Sequence, residues 1–454
     1  MSSSSATRIS LKDLISLVTE YYKDLKEVSD AGNKEDIRQW ITSIQTKDDN
    51  SAKQNLISDL TSVLDKKNIV LGDEHVIYPE VPAIEGIVFR IYGLGVYDAI
   101  THKSPTIESV WLGTDQIARY VEHGITKSYH DYIPDESEME AIQSRLEEIC
   151  QEQHNPSEPI LRGFIESSET RIQSYMPPRT YSRIVRTRRF ITPSFSLDDI
   201  KMDERAREFS KQAMYGRLNI CLAGGQGTGK TTRQIGLLIL KDPTTENITI
   251  YETEHEMRFQ KKWPGTVAEI QDINDMGFAA VYRDVFRNGS QTICFAEPRE
   301  GIEAHYALIS CGRGSDQTVL TTHIRIPDLD DPVSGIREFA TLVNEHRNTN
   351  INDIYRNIAS GIDLFWILEN LKGNRVDYCI FVPEMEEDSV SPTGDYVPPK
   401  PKARVLAKYD FVKKGLVWTG EHLADHKVRY MTNKGTADLE ILRELGLTDL
   451  KREV

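Results

Sequence analysis

The chain has little of what a secreted or membrane-spanning protein needs. No apolar run in its 454 residues approaches the ~18 that cross a bilayer. Its opening, Met1-Ser2-Ser3-Ser4-Ser5, lacks the apolar core of a secretory signal. Cysteine is scarce and odd in number: Cys150, Cys221, Cys294, Cys311 and Cys379 are scattered, with no C-x-x-C pair. That argues against a disulfide framework or a cysteine zinc site and leaves buried, reduced thiols as the expectation. Positive charge is in deficit too. Lys and Arg number 55 against 70 Asp and Glu, a net charge of −15, which weighs against nucleic-acid binding outside a local basic groove. These shortages together point to a cytoplasmic protein. What is present suffices for folding: 39% hydrophobic and 28% charged residues is a globular balance, not a disordered one. The length suits two or three domains of roughly 100–200 residues.

Four stretches differ in pattern. Residues 1–66 form a helical segment. Leu11, Leu14, Ile15, Val18, Tyr22 and Leu25 recur at helical spacing, then Ile37, Trp40, Ile41 and Ile44, then Leu56, Leu60 and Leu64. A helical layer on the next domain and a docking module for a partner both fit. Residues 67–197 mix short strands and helices as an α/β N-terminal domain. Ile69-Val70-Leu71 and Ile87-Val88-Phe89 suit strands, and 138–150 suits a helix. Arg183, Arg186, Arg188 and Arg189 cluster before Phe190, as a solvated strand edge or as a comb for an anionic ligand. Residues 198–384 alternate strand and helix cleanly, with strands expected at 218–223, 248–251, 292–296, 318–322, 362–368 and 376–382. Such alternation predicts a mostly parallel sheet covered on both faces. Residues 385–454 read as a linker, with an acidic run and Pro398-Pro399-Lys400-Pro401, followed by a C-terminal extension.

One motif carries chemistry by itself. Gly224-Gly225-Gln226-Gly227-Thr228-Gly229-Lys230-Thr231 matches G-x-x-x-x-G-K-[ST]. Glycines let successive backbone N–H groups turn inward around a phosphate. Lys230 can reach β and γ oxygens, the Thr231 hydroxyl suits Mg²⁺, and the following helix start favours negative charge. A strand entering the loop and a helix leaving it supply the required context.

The residues downstream resemble the type II/IV secretion-system ATPase superfamily, which serves conjugation, secretion and Tad-like pilus machines. Its aspartate box reads like I-E-D-x-x-E-L; Tyr251-Glu252-Thr253-Glu254-His255-Glu256-Met257 matches at both glutamates and has Thr253 for the aspartate. Its Walker B strand ends like G-E-x-R; Thr292-Ile293-Cys294-Phe295-Ala296-Glu297-Pro298-Arg299 matches at Glu297 and Arg299, with Ala296 for glycine. Glu303 stands one residue out of register with a further family glutamate. Of the histidine box, Cys311-Gly312-Arg313 has lost its histidine and Thr321-Thr322-His323 keeps it. Ile91-Tyr92-Gly93-Leu94-Gly95, Thr170-Arg171-Ile172 before Met176-Pro177-Pro178, and Gly373-Asn374-Arg375-Val376 with Glu384 are similar to further family segments. The resemblance runs from about residue 90 to 384.

The resemblance implies a RecA-like P-loop ATPase domain at 198–384 behind an α/β N-terminal domain. It also implies a homohexameric, ATP- and Mg²⁺-dependent motor, peripheral to a membrane and partnered by secretion or pilus platform proteins, with no direct nucleic-acid contact. Nucleotide would be held by Gly224 to Thr231 with Thr232. Arg171, Arg188 and Arg189 would supply charge across a domain or subunit boundary, in the manner of an arginine finger. Glu297 and Glu252 both end apolar strands expected beside the strand that feeds the phosphate loop; Glu297 and Thr231 would serve the metal and its water shell, and Glu252 would be the general base. His323 would sense the γ-phosphate, and Arg299 would complete the catalytic group. Two other classes remain: a low-turnover nucleotide-binding assembly subunit, favoured by Thr253, Ala296 and Arg313, and a RecA-like nucleic-acid motor, which the charge disfavours. Tyr251, Trp263 and Trp366 read as core.

Overall fold

The computed structural model describes residues 9–24, 33–189, 196–252, 257–271, 278–313, 315–387, 389–391 and 396–451. Leu25, Phe190, Thr253 and Glu256 lie outside them. The chain divides into two compact units, Met1–Ile191 and Thr192–Val454. No helix among the described residues is long and apolar enough to cross a membrane.

In the first unit, the helices Leu11–Asp24, Asn33–Lys47 and Asn50–Lys66 turn one apolar stripe inward. Leu14, Val18, Ile37, Ile44, Leu56 and Leu60 share a core with Ile87, Val88 and Tyr92. Ile87-Val88-Phe89, expected as a strand, lies in the helix Ala83–Ile91. Ile87 and Val88 face the helical core and Phe89 faces the sheet core, so the run is buried on both sides. A short apolar run of this kind has no period that separates helix from strand. Nor is 69–71 a strand: Ile69 makes an isolated bridge and the next two residues are irregular. The helix Glu136–Cys150 covers one face of a six-stranded antiparallel sheet. That sheet runs Ile125–Ser128, Arg119–Glu122, Ile107–Gly113, Ile184–Arg189, Thr170–Tyr175, Ile160–Ile165.

A nine-stranded sheet organises the second unit. Its order is Gly415–Trp418, Pro401–Asp410, Asn374–Met385, Leu364–Leu371, Ile220–Gly224, Gln317–Thr322, Thr292–Ala296, Asn247–Glu252, Thr266–Gln271. From Leu364–Leu371 to Thr266–Gln271 every pairing is parallel; the other three strands are antiparallel. Alternate residues of each strand enter separate cores. Ile220, Leu222, Ile250 and Cys294 meet the helices Glu204–Tyr215 and Lys230–Leu238 on one face. Cys221, Ala223, Phe295 and Leu320 meet Gly301–Gly312, Val333–Arg347 and Ile351–Gly361 on the other. A parallel sheet covered on both faces is the mixed α/β arrangement that a RecA-like domain requires. Residues 386–400 lie between two strands that pair with each other, Asn374–Met385 and Pro401–Asp410. Beyond them, Val428, Met431 and Leu442 enter the first of the two cores. Tyr251, Trp263 and Trp366 are buried in core, as expected.

Candidate nucleotide site

The strand Ile220–Gly224 is buried along its whole length and delivers the phosphate loop to the C-terminal edge of the sheet, where α/β folds bind ligands. Gly224 passes so close to the neighbouring strand that a Cβ there would lie 2.2 Å from the Leu368 carbonyl oxygen. Gly229, at φ 93°, caps the helix Lys230–Leu238 in the left-handed region that glycine tolerates. Thr228 closes the loop internally, its hydroxyl donating to Gly225 O at 3.0 Å. Gln226 is exposed, and Thr231 and Thr232 stand half-buried in the first helical turn. Gln234, one turn on, donates to Phe295 O and Val319 O at 3.1 and 3.2 Å. This ties the helix to the two strands that end at Glu297 and His323.

Lys230 is only 7% exposed. Its ammonium donates to Gly224 O and Gly225 O, both at 2.9 Å, and faces His323 Nδ1 at 3.4 Å. His323 Nε2 meets Glu297 Oε1. An ammonium on one ring nitrogen and a carboxylate on the other fit the tautomer protonated at Nε2, so Nδ1 accepts and Nε2 donates. Glu297 follows its strand at φ 66°, a left-handed position outside the ordinary range of glutamate. Its N–H donates to the Thr321 hydroxyl at 2.7 Å, and its other oxygen takes Arg299 Nη2 at 2.6 Å. Burial opposes the charge on this carboxylate, but hydrogen bonds from His323 and Arg299 and the guanidinium charge hold it well below the usual range. Four of the expected residues are thus in one contiguous set: Lys230, His323, Glu297 and Arg299.

The sheet order corrects one expectation. Glu252 and Glu297 were both expected on strands beside the loop-feeding strand. Instead Gln317–Thr322, the strand of His323, takes that place, with Glu297 second and Glu252 third. Neighbouring strands are about 4.8 Å apart, so Glu297 stands about 10 Å and Glu252 about 14 Å across the sheet from the loop strand. Parallel strands joined by crossovers need not follow chain order, so neighbours in sequence are not neighbours in the sheet. Glu252 is 1% exposed, and its carboxylate accepts from Met257 N–H at 3.0 Å. Glu303 caps a helix: its carboxylate takes the N–H groups of Arg299 and Glu300 at 2.5 and 3.1 Å.

Arg171, Arg188 and Arg189 belong to the first unit. Arg171 and Arg188 are direct cross-strand neighbours, and Arg189 Nε donates to Ser168 O at 3.2 Å. Arg189 also lines a cavity with the buried Asp48, Lys53 and Asp98. Two loop-contacting residues were not assigned to the site from sequence. Arg325 lies against Gly225, and Arg375 Nε donates to Gly227 O at 3.1 Å. Arg375 sits in a quoted motif, and Arg325 follows His323 by two residues; neither position announces a contact with the loop.

The donor set fits a nucleoside polyphosphate. It offers loop and helix-start N–H groups, a buried ammonium, and open space where a Cβ on Gly227 would project. Among the described residues no group of three His, Cys, Asp or Glu is arranged to hold a metal ion. The Thr231 hydroxyl and a water-mediated Glu297 suit Mg²⁺, which takes few protein ligands when phosphates share it.

Among solved structures the chain is similar to secretion and pilus ATPases. The VirB11 ATPase of the Brucella suis type IV secretion system is 17% identical over 62% of this chain and 94% of that one, with a TM-score of 0.32. The ATPase DotB of Legionella pneumophila is 11% identical over 76% and 93%, with a TM-score of 0.47. The pilus retraction motor PilT with bound ADP is 12% identical over 79% and 98%, with a TM-score of 0.46. No family model and no curated protein matches the chain.

Proposed function

We propose that the chain is the ATP-hydrolysing subunit of a homohexameric motor. It would power a secretion, conjugation or pilus-assembly machine at the cytoplasmic face of a membrane, through contacts with platform proteins and without direct nucleic-acid binding. The observation that carries this reading is the linkage of the phosphate-loop lysine through His323 to an ionised strand-end carboxylate, Glu297. Backbone N–H groups of the loop and the first helical turn bind the phosphates, and Lys230 meets the β and γ oxygens. Mg²⁺ would neutralise phosphate charge when bound, and Thr231 and Glu297 would hold it and its water. Glu297 stays ionised and orients water. His323 registers whether Lys230 is engaged, because it shares a proton network with both. Glu252 ends the third strand from the loop strand, and it can act as a base only if its carboxylate leaves Met257 N–H.

The second reading, a nucleotide-binding assembly subunit with little turnover, draws support from the engagement of Glu297 by both His323 and Arg299. Phosphate release by the purified protein separates the two. Turnover that Lys230→Ala abolishes, with an unchanged circular dichroism spectrum, supports the motor. Wild-type turnover in Lys230→Ala sinks the nucleotide site. Tight ATP binding without turnover in the parent leaves the assembly subunit standing.

A further inference from the structure

The two arginines on the phosphate loop reach it from separate parts of the same unit. Arg325 stands past the end of Gln317–Thr322. A Cβ built on Gly225 would sit 2.3 Å from its Nη2 and 2.6 Å from its Nε, so the guanidinium lies directly on the loop backbone. Arg375 comes from the hairpin that joins Leu364–Leu371 to Asn374–Met385. Lys372 at φ 53° and Gly373 at φ 90° form the two left-handed positions of a tight hairpin turn. Asn370 accepts Gly373 N–H at 2.7 Å, and Asn370 pairs with Arg375 across the ladder. The turn therefore sets Arg375 against the loop. Its Nε donates to Gly227 O at 3.1 Å, and its Cδ lies 3.4 Å from where a Gly229 Cβ would be. Both arginines are exposed at this edge of the sheet.

We propose that Arg325 and Arg375 complete the phosphate site from within the motor unit, Arg325 at the terminal phosphate of a nucleoside triphosphate and Arg375 at the end nearer the nucleoside. The inference rests on the nucleotide reading above. A planar guanidinium suits phosphate, and these two already touch the loop that would cradle it. The division follows from position. Lys230 bonds Gly224 O and Gly225 O, and Arg325 lies on Gly225, so Arg325 shares the end of the loop that faces the β and γ oxygens. Arg375 lies at Gly227 and Gly229, where the loop passes into its helix. Together with Lys230 they make a cluster of positive charge in a chain whose net charge is −15.

The affinities of the full-length protein for ATPγS and ADP, by calorimetry, test it. Arg325→Ala should weaken ATPγS binding by about 10- to 100-fold, the scale of a charged hydrogen bond, and ADP binding far less. Arg375→Ala should weaken both nucleotides by similar factors. Arg325→Lys and Arg375→Lys keep the charge and the fold, and should recover only part of the loss. Alanine variants that bind both nucleotides as the parent does, with unchanged circular dichroism, overturn the proposal. Equal losses for ATPγS and ADP in Arg325→Ala overturn its assignment to the terminal phosphate. A parent that binds neither nucleotide brings down the nucleotide reading and this inference with it, an outcome distinct from failure of the arginines alone.

Discussion

Glu297 is held ionised against its own burial, and that has consequences for both chemistry and stability. Its folded pKa lies below the unfolded value, so the carboxylate contributes stability that is fully present above the unfolded pKa, about 4.3 for glutamate, and is lost as pH falls toward the folded value. Thermal melts should show the parent losing Tm more steeply than Glu297→Gln below about pH 5. Parallel curves would mean that the His323 and Arg299 contacts do not stabilise the charge in solution. In turnover, Glu297→Gln should lose about 10²–10⁴-fold if the carboxylate takes a proton or orders the attacking water, while ATP affinity is retained. Glu252→Gln should cost less, because Glu252 stands a strand further away and its carboxylate is on Met257 N–H. A larger loss in Glu252→Gln than in Glu297→Gln, with Mg²⁺ dependence unchanged, would return the base role to Glu252.

At the scale of elements, the turn at Leu94, in the segment that resembles a family motif, is held by Asp98 just beyond it. Asp98 Oδ2 accepts Leu94 N–H at 2.7 Å, and its other oxygen takes Lys53 Nζ at 2.8 Å. Asp48 contacts the same ammonium, and all three side chains are about 95% buried. Burial opposes the lysine charge, yet the two carboxylates hold Lys53 protonated. Burial, with the nearby charge of Asp98, raises the Asp48 carboxyl above its ordinary range despite Lys53. The cluster fastens the helix Asn50–Lys66 to the turn before the helix Val96–Thr101. Lys53→Ala would leave two carboxylates without their cation and should destabilise the protein by about 3–5 kcal/mol in a denaturant titration. A change within about 0.5 kcal/mol, the size of an ordinary surface substitution, would show that the cluster contributes nothing net. Its partners are 45 residues apart in the chain, so no local pattern announces the pair.

For the whole molecule, the expected assembly is a homohexamer. Copies of a chain with a net charge of −15 repel one another, so the ring should be favoured by nucleotide and by moderate salt, which screens that repulsion. Light scattering at micromolar protein with a non-hydrolysable ATP analogue checks this. A strict monomer across that range would count heavily against a ring motor.

Residue types at short spacing were enough to place the glycine-rich loop between a strand and a helix, and to read the strand–helix alternation around it and the apolar stripes of the N-terminal helices. Those features depend on backbone freedom and periodicity over a few residues, which the chain carries locally. The order of strands was not legible, because a crossover can set the next parallel strand on either side of the last, so His323 and not Glu252 stands beside the loop strand. The short run Ile87-Val88-Phe89 was ambiguous for a related reason: burial on both sides erases the period that marks a helix. Arg375 reaches Gly227 across 148 residues of chain, and Arg325 reaches Gly225 from the end of another strand. Such contacts exist only once the sheet has brought distant segments to one edge. The charge state of Glu297 is likewise a tertiary property, set by a histidine and an arginine that the fold places on its two oxygens.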